Sequence, residues 1–138
     1  MKQIIINAIV TPDETVLVSE NRHDFKTHED TKTKKRYGVD GGTEYCRMIG
    51  DITDCKDITL YIDDDEIVDE YFKYYRNIFK WGTYGKSGKE KYKQVKLKDM
   101  SNSHIKNIFE TQKHLSNKVL KLFQKELKYR DDNKVIIL

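Results

Sequence analysis

The chain has 138 residues, 37% of them apolar, 36% charged and 11% aromatic, with a formal net charge of +3. That length fits one domain with a real core, and nine tyrosines, five phenylalanines and a tryptophan argue against a disordered polymer. No run approaches the roughly 18 consecutive apolar residues of a membrane span, and the apolar stretch at the amino terminus is too short for a secretory signal, so a cytoplasmic protein is expected.

Charge is unevenly placed. Residues 1–70 hold 9 Lys and Arg against 17 Asp and Glu, whereas residues 71–138 hold 17 against 6, so the halves carry −8 and +11. Such asymmetry points to an anionic ligand or to self-association through complementary faces; a solvated lysine-rich helix surface is the plainer alternative. Cys46 and Cys55 lack the spacing of a zinc site and read as reduced thiols.

In chain order, residues 3–9 (QIIINAI) and 14–20 (ETVLVSE) are β-branched runs around Thr11-Pro12-Asp13, which predicts a hairpin. KKRYGVD and TEYCRMI flank Asp40-Gly41-Gly42, a second hairpin signal, because Asp-Gly tolerates positive φ. Residues 57–63 (DITLYID) alternate apolar and polar side chains as a half-buried strand does. The period then changes. Ile67, Val68, Tyr71, Phe72, Tyr75, Ile78 and Phe79 follow a helical stripe, with residues 63–66 (DDDE) at its amino-terminal end as caps and negative charge.

Glycines 82, 85 and 88 end that helix, and residues 93–99 (KQVKLKD) read as a short strand. Ser101-Asn102-Ser103 caps a helix with Ile105, Ile108, Phe109 and Gln112 facing inward; Ser116-Asn117 opens another, striped by Val119, Leu120, Phe123 and Leu127. Strands first and helices afterwards predict a single α+β domain over residues 1–138, an antiparallel sheet followed by two or three helices packed on one face.

Gly85-Lys86-Ser87 has the ending of a nucleotide-binding P-loop, but Lys80 stands where the first glycine belongs, and the loop runs from a helix to a strand. A P-loop NTPase is therefore not expected. Trp81, Thr83, Tyr84, Lys86 and Lys89 nevertheless join flat π surfaces to ammonium groups, the pairing that holds a base by stacking and a phosphate by charge. A Trp81 that simply plugs the core is the structural alternative.

Residues 20–30 (ENRHDFKTHED) gather Arg22, His23, Asp24 and His28. Five residues apart on an extended chain, His23 and His28 point to opposite faces, which disfavours a shared metal. A polar network lining a pocket or an interface is expected instead, with Asp24 orienting His23 or pairing with Arg22. His104 suits a helix's first turn, His114 a carboxy-terminal end, and Arg130 both a helix end and an anion clamp. No G-x-S-x-G, H-E-x-x-H or Cys/His nucleophile pattern is present, so no catalytic or metal residue and no cofactor is assigned.

RHDFKTH (22–28), YGVDGGTEY (37–45), WGTYGK (81–86), KDMSNSHIKNIFETQ (98–112) and KELKYR (125–130) together resemble a family of small bacteriophage proteins, over most of the chain. The blocks are similar to those of the first Thoeris anti-defence family. Phe25-Lys26 stand where that pattern has Tyr and a small residue; Arg22-His23-Asp24 is intact. The resemblance implies a homo-oligomeric sponge, with pockets between protomers, that binds without cleaving the cyclic ADP-ribose isomer made by the TIR enzyme of a Thoeris system.

Side-chain chemistry, not the resemblance, supplies the expected contacts for such a ligand. Trp81 or Tyr84 stacks the base, Arg22, Lys86 and Arg130 neutralise phosphates, and His104, Asn107 and Thr83 meet sugar hydroxyls, with His23 beside Arg22. Two alternatives are a nucleic-acid-binding protein using the +11 half and a metal-dependent nuclease or phosphodiesterase built on His23, Asp24 and His28.

Overall fold

A computed structural model describes residues 3–62, 66–85, 88–112 and 115–135. The chain is α+β, with antiparallel sheets in its first half and three helices in its second, and it divides into two compact units, Met1–Glu66 and Ile67–Leu138.

The first unit holds two sheets rather than one. Strand β1 (Ile4–Val10) pairs antiparallel with β2 (Val16–Ser19) through the expected Thr11-Pro12-Asp13 turn. The single strand expected over residues 57–63 is instead β6 (Lys56–Asp57) and β7 (Leu60–Tyr61), both on β1, whose register shifts between Ile4 and Ile6. The Asp57 carboxylate accepts the Thr59 N–H at 3.0 Å, a local bond that turns the chain and competes with a continuous ladder.

The second sheet is β3 (Lys26–Glu29), β4 (Arg36–Asp40) and β5 (Arg47–Ile49). Asp40-Gly41-Gly42 leads from β4 towards β5 as expected. Gly42 has a φ of 56°, and a Cβ there would lie 2.3 Å from the Asn21 carbonyl carbon, so the position needs glycine on two counts. Between the sheets lies the core of Ile9, Leu17, Tyr37 and Val39, flanked by Met48, Ile52 and Cys55. Each such buried side chain contributes about 1.5–3 kcal/mol.

The second unit starts its first helix later than the pattern suggests. α1 (Asp69–Ile78) has Asp69 and Glu70 in its first turn, so Glu66 lies before it, and residues 63–65 are outside the described residues. β8 (Lys80–Thr83) and β9 (Lys93–Lys96) form a hairpin, and a 3-10 turn, Leu97–Asp99, leads to α2 (Asn102–Thr111) and α3 (Asn117–Asp132). Ser101 Oγ accepts the His104 N–H and Ser116 Oγ the Val119 N–H, the caps foreseen from sequence, each stabilising its helix by about 1 kcal/mol.

Phe123 is the centre of this unit's core. Phe79, Trp81 and Phe109 meet it edge-on with centroids 5.8, 5.4 and 6.4 Å away, the geometry that sets a positive ring edge against a negative face. Of the expected apolar stripe on α3 only Phe123 is fully buried; the rest of the buried side is Lys118, Leu122, Glu126 and Arg130, with Val119, Leu120 and Leu127 half-buried. No described helix is long and apolar enough to cross a membrane.

Candidate functional site

Charged residues inside α3 need partners, and these partners shape the second unit's surface. Glu126, fully buried, accepts Arg76 Nε at 2.8 Å and Arg76 Nη2 at 2.9 Å on its two oxygens, and Arg130 Nε at 2.7 Å. Glu126 in turn pushes the Arg76 guanidinium further up, and that group also stacks 4.1 Å over Tyr129. Arg130 also donates from Nη1 to Asn102 Oδ1 (2.6 Å) and from Nη2 to the Leu97 carbonyl (2.9 Å) and the Lys98 carbonyl (3.3 Å). It ties the carboxy-terminal part of α3 to the start of α2 and to the turn before it.

That tie forms the floor of a cleft of about 600 Å³, lined by Asn102 and Lys106 from α2 and by Leu127, Lys128, Arg130, Asp131, Lys134 and Val135 from the end of α3 and beyond. Lysines outnumber the single carboxylate of Asp131. Because Arg130 can only donate, Asn102 must present its oxygen to it, leaving the amide hydrogens as the donors Asn102 can offer elsewhere. Lys128 pairs with Asp132 at 2.8 Å, an exposed i,i+4 contact that opens at little cost. Lys106 and Lys134 have no ion pair among the described residues. The result is a basic rim over an apolar wall of Leu127 and Val135, suited to an anion that also carries a flat or apolar part.

The expected contact residues are distributed differently. Arg130 is at the cleft but only 2% exposed, and its guanidinium is committed internally, so it supports the wall rather than clamping a phosphate. Trp81 is half-buried against Phe123, the structural alternative weighed for it. Thr83 Oγ1 accepts the Gly85 N–H, Tyr84 is 56% exposed, and Lys86 lies outside the described residues. His104 is half-buried, which pushes its imidazole pKa down, and Asn107 is exposed; neither lines the cleft. Lys106, Lys128 and Lys134 were not singled out in the sequence, where the only signal was the excess of lysines in this half.

In the first unit Arg22 and His23 are exposed, and Arg22 pairs with Glu44 at 3.1 Å. Asp24 does not pair with Arg22: it accepts the Glu20 N–H at 2.8 Å and meets Lys26 at 3.2 Å, because the chain turns tightly after β2. His28 is claimed by Asp13 at 2.8 Å, so His23, Asp24 and His28 do not converge. His114 is outside the described residues.

A different trio, Asp13, His28 and Asp30, brings its ligand-type atoms within 4.8 Å of one another. Its oxygens are already occupied. Asp13 accepts from Thr11 Oγ1, His28 and the Thr31 and Thr15 N–H groups, while Asp30 accepts the N–H groups of Asp13, Lys32 and Thr33. The trio clips the β1–β2 turn to the β3–β4 turn. Hydrogen bonds from Thr11 first, then His28 and Thr31, hold the Asp13 carboxyl far below its ordinary range. Burial opposes ionisation of Asp30, but the N–H groups of Thr33, Asp13 and Lys32 outweigh it and lower that carboxyl too.

A depressed carboxyl contributes stability that is complete above its unfolded value, about 3.9, and is lost as pH falls towards the folded one. The protein is therefore expected to lose stability in acid below about pH 4. Asp13→Asn should lower stability at pH 7 and flatten that acid dependence in circular-dichroism melts; an unchanged slope would contradict the clip.

No protein-family model matches the chain, and no curated protein or solved structure shows significant similarity to it.

Proposed function

We propose that the protein is a non-enzymatic phage anti-defence protein of the infected host's cytoplasm that sequesters a cyclic nucleotide signal, a cyclic ADP-ribose isomer made by a TIR enzyme. The cleft carries this reading. Its volume of about 600 Å³ suits a nucleotide-sized guest, Lys106, Lys128 and Lys134 supply charge for a pyrophosphate, and Asn102 supplies amide hydrogens for ribose oxygens. Leu127 and Val135 give the base an apolar wall. The sequence blocks that resemble the Thoeris anti-defence family point to the same ligand. Self-assembly, with pockets completed by neighbouring copies, belongs to the proposal and is read out by light scattering on the purified protein.

The test is to incubate purified protein with extract from infected, Thoeris-bearing cells, denature it by heat and identify the released molecules by mass spectrometry. Release of the intact cyclic compound is expected; a hydrolysed product would indicate an enzyme, and no nucleotide at all would end the reading. Lys106→Glu and Lys128→Glu each replace an attraction with a repulsion at the rim. Each should reduce retention by about 10- to 100-fold, the range of one charge-assisted hydrogen bond, without moving the melting temperature.

A further inference from the structure

The β8–β9 hairpin carries a second pattern, independent of the cleft. Its register pairs Lys80 with Lys96, Trp81 with Val95, Gly82 with Gln94 and Thr83 with Lys93. Side chains alternate across a strand pair, so Trp81 and Val95 share the face on which Trp81 meets Phe123. The opposite face receives Lys80, Lys96, Gly82 and Gln94, and the same alternation assigns Tyr84 and Tyr92 to it.

The packing around Gly82 agrees with that assignment. A Cβ built on Gly82 would lie 2.2 Å from the Tyr92 hydroxyl oxygen, so the Tyr92 ring lies across the glycine, where any larger residue would displace it. Tyr84 and Tyr92 form a tilted pair with centroids 5.4 Å apart. Both remain 56% exposed, far more than two rings used only as packing would be. Gln94 and Lys96 are exposed beside them.

We propose that this face is a platform for single-stranded nucleic acid, with Tyr84 and Tyr92 stacking unpaired bases and Lys80 and Lys96 following the backbone. Charge favours that occupant: residues 80–96 hold six lysines, Lys80 among them, and one carboxylate, Glu90, which folds back onto Gly85. From Tyr92 to Lys96 is about 13 Å at strand rise, the length of several nucleotides and more than one phosphate group requires. Rings accept a strand rather than a duplex, whose bases are already stacked on each other.

Fluorescence anisotropy with a labelled 15-nucleotide oligothymidine, against the corresponding 15-base-pair duplex and with thymidine monophosphate as competitor, tests the proposal. The strand should bind at low salt more tightly than the duplex, with little competition from the mononucleotide. Tyr84→Ala should weaken strand binding by about 5- to 100-fold, the usual effect of truncating a stacking ring, whereas Tyr84→Phe retains it.

Tyr92→Ala, which also uncovers Gly82, is read only beside an unchanged circular-dichroism spectrum. A Lys80→Gln/Lys96→Gln variant should reduce the slope of log affinity against log salt by about 1.4, or 0.7 for each phosphate no longer neutralised. Equal affinity for duplex and strand, unaltered binding by Tyr84→Ala, or no binding at low salt would each overturn the platform. So would a Tyr84→Ala effect on self-association alone, which would make the face a contact between copies. Lys106→Glu should leave strand binding unchanged while reducing retention of the cyclic nucleotide, so the two sites succeed or fail separately.

Discussion

Glu126→Gln is expected to destabilise the second unit by about 3–5 kcal/mol, the cost of breaking a buried charge network from one side. Glu126 is fully buried between two arginines and accepts three charge-assisted hydrogen bonds of 2.7–2.9 Å. Glutamine keeps the shape but offers one oxygen, and turns its amide hydrogens towards a guanidinium that has only hydrogens to give. Arg130, 2% exposed, would then hold its charge with carbonyls and one amide oxygen alone.

Domains are stable by only about 5–15 kcal/mol, so this single atom exchange removes much of the margin. Trp81, the chain's single tryptophan, packs on Phe123, within one turn of Glu126 along α3, and reports the loss as a change in fluorescence during urea unfolding. Arg130→Met combined with Glu126→Gln should be less harmful than the two separate losses added, by about 1–3 kcal/mol of coupling. Strict additivity would show that the two groups do not act as a unit.

The same network separates stability from binding. An Arg130→Ala protein that no longer retains ligand is expected to have lost the wall of the cleft, since Arg130 joins α3 to Asn102, Leu97 and Lys98. Trp81→Ala acts likewise, through the ring cluster on Phe123. Lys106 and Lys128 are the informative positions, because their side chains rim the cleft without supporting the core.

Local signals in the sequence are legible where one residue decides the geometry. Ser101 and Ser116 cap helices, Thr11-Pro12-Asp13 turns between β1 and β2, and Asp40-Gly41-Gly42 bends after β4, each because its own side chain or its freedom in φ fixes the backbone. The strand at residues 26–29 gave no apolar signal: its side chains are mostly exposed and pairing with β4 alone makes it a strand. On α3 the expected stripe holds at Phe123, which is fully buried, while the rest of the buried face is rotated away from it. Val119, Leu120 and Leu127 are the apolar side chains a pattern selects, yet partners in other elements bury Glu126 and Arg130 instead. Trp81 and Tyr84 form one cluster in the sequence, but three positions apart on an extended chain they fall on opposite faces, one packed on Phe123 and one in solvent. The cleft lysines share no spacing in sequence, since α2 and α3 bring them together only in the folded unit.

Asn7→Asp is expected to destabilise the first unit by about 3–5 kcal/mol, more than Asn7→Ala, although aspartate has nearly the same shape. Asn7 is 1% exposed in the middle of β1, and its Nδ2 lies 3.0 Å from each of the carbonyl oxygens of Asp40, Gly42 and Tyr45. One amide nitrogen thus fastens both arms of the glycine turn to the first sheet. Its Oδ1 has no hydrogen-bond partner among the described residues, where the side chain is held by its donors alone.

Alanine deletes those donors and leaves acceptors short of a hydrogen, at about 1–3 kcal/mol. Aspartate instead places a carboxylate oxygen about 3 Å from three others, with no cation facing it in that set of contacts. Acid should narrow its gap from wild type, because a protonated carboxyl regains one hydrogen to donate. Gly42 gives a local readout: its N–H donates to Ser19 Oγ at 2.8 Å, and hydrogen exchange there should accelerate as the turn lifts from β1. Equal urea midpoints for the aspartate and alanine variants at pH 7 would mean that the three carbonyls do not read the identity of the atom they face.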